Sequence, residues 1–453
     1  EVDDGNDIEG IEMSLMEAQK KIDRPSLIAV RTHIGYGSPN KQDSASVHGE
    51  PLGAEEIRLT KKNLEWPLEP DFFIPGEALN HFRHALEKGK QWENEWRDRF
   101  LSYEKSHPEL AQVWKQWMNN ELPRDWDRDL PAFPADTKGT ATRVASGTAL
   151  NAIASTLPNL IGGSADLAPS NKTFLKGEDA FQGGHYKGRN LHFGVREHGM
   201  GSILNGIALH GGIIPYGGTF LIFSDYMRPA IRLAAMMGLK VIYVLTHDSI
   251  ALGEDGPTHQ PVEQLPALRA IPNLTLIRPC DANETVEAWR FAIENKNCPV
   301  VLSLTRQNIP ILDREMFAPA DGLRRGAYIL KDPPNKKPDM ILIASGSEVH
   351  IAIGAAGKLE KKGIAVRVVS MPSWELFDRQ SESYRKEVIP PDIKASMAIE
   401  AGATQGWHRY LKNKADVVGI DHFGASAPYK TLYEKFGITV DGVVERALGL
   451  LVN

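Results

Sequence analysis

Six short apolar runs, separated by helical patterns between residues 159 and 305, leave this chain few ways to fold. They are NLIGGSA (159–165), NLHFGV (190–195), GIIPYG (212–217), KVIYVLT (240–246), LTLIRP (274–279) and VVLSLT (300–305). Each is continuously apolar rather than alternating, as strands are when both faces of a sheet are covered. Between them lie EHGMGSILNGIALHG, DYMRPAIRLAAMMG and DANETVEAWRFAIENK, with apolar residues at helical spacing. The last opens on Asp281 and Glu284, a capping-box-like start. Alternation of strand and helix specifies a doubly wound, mostly parallel sheet.

A second such unit begins near 337. DMILIASG, AVRVVSM, ASMAIEA and DVVGID read as its strands, with helices expected at 348–361, 405–412 and 441–451. KDPPNKKPD (331–339) reads as the linker between the two. Upstream, 7–22 reads as a helix, SLIAVRT (26–32) as a buried strand and 34–53 as a long irregular loop. Residues 54–135 are charged and helical and hold six of the nine tryptophans: Trp66, Trp92, Trp96, Trp114, Trp117 and Trp126. Buried packing between elements is the expected role of those rings. The chain opens on Glu1, and its first ten residues resemble neither a signal nor a transit peptide. The expectation is that it starts inside a longer α/β domain. The fold class expected is α/β: two doubly wound, mostly parallel sheet domains, preceded by the tail of a third α/β domain and linker helices.

Composition narrows the partners. No run of about 18 apolar residues occurs, so no membrane span is expected. A formal charge of −6 argues against a nucleic-acid partner held by a bulk basic field. The two cysteines, Cys280 and Cys298, have no metal-ligand spacing, which fits a reducing, cytoplasmic setting.

Ligands of open α/β sheets sit beyond the carboxyl ends of the strands. The polar residues that fall there are Asp166 and Ser170, Arg196 to His198, His247 and Asp248 with Asp255 and His259 beyond, and Arg306; Phe220 and Phe223 join them. Glu197 opens a helix among small and apolar neighbours. It serves there either as a carboxylate favouring the helix dipole or, if buried, as an acid–base group. Phe220, Phe223 and Tyr226 are three residues apart, which at helical spacing puts them on one face, as core or as a stacking platform for a flat heteroaromatic ring. Arg143, Arg306 and Ser170 could hold a phosphate by charge-assisted hydrogen bonds. His247, Asp255 and His259 suit hydroxyl groups better than zinc, for which no HxH or HxxxH spacing exists. No GxSxG, Walker A or dinucleotide fingerprint occurs. GIDHFGASAPY (419–429) is a loop at a strand end in the last domain, and its residues alone assign it no chemistry.

Taken in order, IGYGSPN, HGEPLG, ATR, GGSADLAPSN, FGVREHGM, GGTFLIFSDY, THDSIALGEDGPTHQPVEQ, RPCDANE and SLTRQN resemble the transketolase family along the whole chain. The resemblance implies a thiamine-diphosphate enzyme. It makes 1–53 the remnant of a diphosphate-binding domain, 54–120 a helical linker, 121–320 the pyrimidine-binding domain and 325–453 the C-terminal domain. The family's metal-binding GDG…N motif does not occur. Mg²⁺ (or Ca²⁺) and the diphosphate are therefore expected to be held by an N-terminal portion outside this chain, a domain or a separate subunit.

By the same resemblance, Glu197 matches the glutamate that protonates the cofactor's pyrimidine ring. Phe220, Phe223 and Tyr226 match the aromatic pocket around that ring. Arg143, Ser170, His247 and Arg306 match a sugar-phosphate clamp, and Asp255 and His259 the contacts to substrate hydroxyls, His259 also with a catalytic role. His48 matches a catalytic histidine near the cofactor, and Asp166 an acidic residue near the cofactor and the dimer interface. The implied activity is reversible transfer of a two-carbon ketol unit from a ketose phosphate to an aldose phosphate, in the pentose phosphate pathway or Calvin cycle. The implied assembly is a homodimer or (αβ)₂. Dihydroxyacetone synthase, deoxyxylulose-phosphate synthase and a non-catalytic transketolase-like subunit are the competing readings.

Overall fold

A computed structural model describes residues 1–334 and 336–452. It divides into two compact units, Glu1–Ser106 and the remainder from His107.

The first unit is helical. Its helices are Ile8–Gln19, Ala54–Asn63 and Gly76–Ser106. Asp7 caps the first by accepting from the Gly10 amide at 3.0 Å. The loop expected at 34–53 is pinned by Glu56, which accepts from the Ser38 hydroxyl (2.5 Å) and from the Asn40 amide and side chain (both 2.9 Å). The buried strand expected at 26–32 is not formed. Only Val30 bridges, to Val2, and Leu27 is 97% exposed. An apolar run reads as a buried strand only if a sheet covers it, and here the run has that bridge and a bond from Gly5 N to Arg31 O at 2.7 Å.

In the second unit, the short strand β1 (Asp136–Thr140) is followed by β2 (Leu160–Ser164), β3 (Asn190–His192), β4 (Ile214–Phe220), β5 (Ile242–Thr246), β6 (Thr275–Ile277) and β7 (Val300–Leu304). These last six form one all-parallel sheet in the order β3-β2-β4-β5-β7-β6. All six predicted runs are therefore strands. Strand β8 (Ile309–Ile311) returns to pair antiparallel with β1. Alternate residues feed opposite faces. Ile242 and Val244 pack in one apolar cluster, Tyr243 and Leu245 in the other.

The second sheet contains β9 (Tyr328–Lys331), β10 (Met340–Ala344), β11 (Val366–Ser370), β12 (Ala395–Ile399) and β13 (Lys414–Val418), ordered β13-β12-β10-β11-β9. Four of its strands were legible in the sequence; β9, an antiparallel edge, was not. Asn335, in the expected linker, lies outside the described residues. The helix expected at 405–412 is only a 3₁₀ turn, Trp407–Arg409. Gly406 (φ 93°) sits so close to the Trp374 ring that a Cβ would lie 2.8 Å from it, and the Trp407 indole donates to Glu400 at 2.9 Å. These contacts fix the backbone in a non-helical path. The tryptophans of 54–135 also depart from expectation. Trp126 is buried, but Trp66, Trp92, Trp96 and Trp114 are exposed. No helix among the described residues is long and apolar enough to cross a membrane.

The two sheets are joined by buried charge. Arg278, fully buried after β6, donates through Nε to Asp248 at 2.8 Å and through Nη1 to Glu348 and the Ser345 carbonyl. Burial works against its charge, but Glu348, Asp248 and Glu400 outweigh it and hold the guanidinium well above its ordinary range. Gly346 lies flat on this group; a Cβ there would be 2.6 Å from Cζ. Beside it, Arg269 pairs with both Glu400 oxygens at 2.7 Å and stacks over Trp374. Removing one partner of such a network strands the others in a dry interior, at a cost of about 3–5 kcal/mol. Arg278→Met is expected to lower the urea-unfolding free energy by that amount. A loss within experimental error of zero would show that the network contributes nothing to stability.

Candidate functional site

Strand order reverses between β2 and β4, with β3 on one side and β5 on the other, and a crevice opens at the carboxyl ends there. A cavity of about 420 Å³ occupies it, within the roughly 300–1,000 Å³ typical of small-molecule sites. It is lined by Ala165, Asp166, Leu167, Val195, Glu197, Phe223 and Tyr226.

Glu197 is the first residue of helix Glu197–His210 and is buried, with Thr219 Oγ1 donating to its Oε1 at 3.5 Å. The acid–base reading requires a buried carboxylate facing a cavity, and the structure provides one. Asp166, the second residue after β2, is exposed and adopts φ 61°. The three aromatics do not share a helical face. Phe220 ends β4, Phe223 closes the 3₁₀ turn Leu221–Phe223, and Tyr226 lies in helix Ser224–Met236. The rings still stack in sequence, Phe220 on Phe223 at 5.8 Å and Phe223 near Tyr226 at 6.1 Å. A tight strand–turn–helix passage gives the same three-residue repeat as a helix. An apolar and aromatic crevice with one buried carboxyl group, Glu197, and one exposed, Asp166, fits a flat heteroaromatic ring.

A second cluster lies beyond β5 and β7. Thr142 and Thr305 exchange reciprocal bonds, Thr142 N to Thr305 Oγ1 at 2.9 Å and Thr305 N to Thr142 Oγ1 at 2.7 Å. This clasp fixes the start of helix Thr142–Thr156 against the end of β7 and brings Arg143 near Arg306. Arg143 donates to the Ser170 carbonyl at 2.8 Å, while its buried Nε has no partner among the described residues. Burial, and then Arg306, hold it below its ordinary range. Two guanidiniums placed where each repels the other, one with an unused buried donor, make a site that gains from an anion. Ser170 is brought to this cluster through its backbone.

His247 follows β5 in the left-handed region (φ 62°) and is buried under Phe220, the two ring centroids 3.7 Å apart. A relay fixes its ring: Nδ1 to Thr246 Oγ1 (2.8 Å), Thr246 to Asn171 Oδ1 (2.7 Å), and Asn171 Nδ2 to Ser164 Oγ (3.1 Å). Asn171, Thr246, Thr142 and Thr305 escaped the sequence reading. Their partners are distant in the chain, and only the polar residues within otherwise apolar strand ends hinted at them. Burial, then Arg143, Arg306 and His259, push the His247 imidazole down to about 3. The charge of the cluster therefore comes from the arginines. Asp248, the next residue, turns away to Arg278.

Asp255 is exposed, and half-buried His259 meets Phe223 edge-on at 5.7 Å with Nδ1 at 3.0 Å from Thr258 Oγ1. The site therefore brings together Arg143, Ser170, His247, His259 and Arg306, with Phe220 and Phe223 linking them to the Glu197 cavity. His48 lies in the first unit, exposed at the end of the 3₁₀ turn Ala45–Val47, and is described there on its own. Among the described residues no group of three or more His, Cys, Asp or Glu is placed to hold a metal ion.

This fold and crevice belong to the class of proteins that bind thiamine diphosphate. Residues 138–311 match the family described as "Transketolase, pyrimidine binding domain", 326–439 the "Transketolase-like TK C-terminal domain" and 1–123 the "Transketolase, thiamine diphosphate binding domain". The transketolase of Geobacillus stearothermophilus is 51% identical over 99% of this chain and 67% of its own length, and that of Halalkalibacterium halodurans 52% over 100% and 67%. A solved transketolase from Leishmania mexicana superposes with a TM-score of 0.90 at 42% identity, over 99% of this chain and 66% of that one. The chain belongs to the transketolase family. It spans about two thirds of the length of these relatives. The expectation that the diphosphate-binding portion lies outside the chain is corrected by the match over 1–123. The recognisable motifs of that portion stop at 53, and the charged helices beyond carry none.

With its value near 3, His247 stays unprotonated throughout the neutral range. In ¹⁵N-histidine NMR its ring signals should show no titration between pH 8 and 5. A midpoint near 6.5, the value of an unperturbed histidine, would contradict the burial and the arginine field described here.

Proposed function

We propose that this chain carries the pyrimidine and sugar-phosphate side of a ketol-transferase site, acting with thiamine diphosphate on sugar phosphates. The observation that carries the reading is the pairing of the Glu197 cavity with the Arg143–Arg306 anion cluster on one sheet edge. On this reading 1–53 and the helices of 54–120 go with the diphosphate side, 121–320 form the pyrimidine-binding domain and 325–453 the C-terminal domain.

The residues fit the aminopyrimidine end of the cofactor. The Phe220–Phe223–Tyr226 wall stacks on the ring, and Glu197 shares a proton with a ring nitrogen from its buried position at the crevice. Asp166 lies at the mouth of the same cavity. When bound, thiamine diphosphate supplies the electron sink that stabilises the two-carbon fragment. A divalent ion, Mg²⁺ or Ca²⁺, would serve the diphosphate.

Arg143 and Arg306 bind the substrate phosphate by charge-assisted hydrogen bonds, with Ser170 and the neutral His247 completing the clamp. Asp255 and His259 orient hydroxyls next to the bond that breaks, and His48 acts from the diphosphate side. Orienting the substrate in this way supplies much of the rate by proximity. The protein would work as a dimer or a paired assembly in the cytoplasm, where the buried thiols of Cys280 and Cys298 stay reduced.

In the holoenzyme, Glu197→Ala is expected to lower ketol transfer from a ketose phosphate to an aldose phosphate by at least about 10²-fold, the scale of a lost acid–base group. Turnover near that of the unmodified enzyme would remove Glu197 from its role. Formaldehyde preferred over an aldose phosphate as acceptor would point instead to a dihydroxyacetone synthase.

A further inference from the structure

The loop after β13, Asp421–Pro428, touches the ligand loop 247–261 at several points. Gln260 is 2% exposed, and its Nε2 donates to Gly253 O and to Ala425 O, both at 2.9 Å, with Ile250 O at 3.5 Å. Three carbonyls around one atom settle the amide orientation, since only the nitrogen can face them. That leaves Oε1 buried with no partner among the described residues. It abuts Gly424, where a Cβ would lie 1.7 Å from Oε1 and 2.8 Å from Cδ. Glycine is required at 424 by space.

The Ser426 hydroxyl donates to the Glu254 carbonyl. Gly256, at φ 79°, lies against the same serine, with 3.3 Å from its would-be Cβ to Ser426 Cβ. Gly253, Glu254, Gly256 and Gln260 thus all meet one segment of the other sheet's edge. They flank Asp255 and His259, whose own side chains have little to hold them: Asp255 is exposed, and His259 has Thr258 and the two phenylalanine rings.

We infer that the 421–428 loop is a buttress for the ligand loop, and that Gln260 and Ser426 are positioning residues for Asp255 and His259. The five-stranded sheet then acts on substrate selection without contributing a reacting group. The assignment of Asp255 and His259 to the substrate is the proposed function's; the buttress itself rests on the contacts alone.

The test uses the holoenzyme with Gln260→Ala, Ser426→Ala, Gly424→Ala, and Gly424→Ala combined with Gln260→Ala. Hydrogen exchange of the amides of 253–260 should rise by about 10-fold in Gln260→Ala and Ser426→Ala, with protection of the β2–β7 core unchanged, as for a local opening. The kcat/KM for sugar phosphates should fall by about 10- to 100-fold, the range expected of a misplaced orienting group, carried chiefly by KM. Gly424→Ala should be severe alone and add little once Gln260 is alanine, because the clash has gone. Unchanged loop exchange, a general loss of protection across the core, or additive effects of Gly424→Ala and Gln260→Ala would overturn the buttress. Asp255→Ala is the control. If it leaves KM unmoved, the substrate assignment fails, while loop exchange still decides the buttress.

Discussion

The buried guanidinium of Arg278 is the interaction on which the arrangement turns. It reaches Asp248 at the end of β5 and Glu348 at the start of a helix of the second sheet, so one side chain sets both the spacing of the two sheets and the path of the chain after His247. A charge so deep in the protein is stable only when its partners are in place. Here Glu400 and Arg269 extend the set. Burial alone would raise the Glu400 carboxyl, but Arg269 and Arg278 bring it down to about 2. The ligand loop therefore leaves its sheet under strong local constraint. Its first residue is in the left-handed region, its second is ion-paired, and its far end is tied through Gln260.

The other side of the same sheet edge is built by neutral hydrogen bonds. The Thr142–Thr305 clasp and the Ser164–Asn171–Thr246 relay position Arg143 and His247 without introducing a carboxylate among them. This separation has a chemical consequence. A carboxylate in the cluster would neutralise Arg143 and Arg306 and leave nothing for a phosphate to gain. The acids are instead kept apart from it: Asp248 faces Arg278 behind the loop, and Glu197 lies in the neighbouring crevice.

Much of this was legible in the sequence, for identifiable reasons. Strands such as Ile242–Thr246 are covered on both faces and leave continuous apolar runs. The rule that ligands sit at the carboxyl ends of parallel strands then picked out Glu197, His247 and Arg306. Tyr328–Lys331 was missed because an antiparallel edge strand, half-buried at alternate positions, leaves a weaker trace. SLIAVRT misled because an apolar run says nothing of whether a sheet is there to cover it. The aromatic triplet at 220, 223 and 226 was read as a helix when it crosses three kinds of structure. Long-range hydrogen bonds left no local pattern at all. Thr142 and Thr305 are 163 positions apart and Gln260 and Ala425 165, and neither pair stands out in the sequence until the fold joins them.

The account's central claim is that one sheet edge seats the ring through Glu197 and the sugar phosphate through the paired arginines. A crystal structure of the holoenzyme with a ketose phosphate bound tests it most directly. The account predicts the phosphate between Arg143 and Arg306, with sugar hydroxyls in hydrogen-bond reach of Asp255 and His259. A phosphate seated away from both arginines would contradict it.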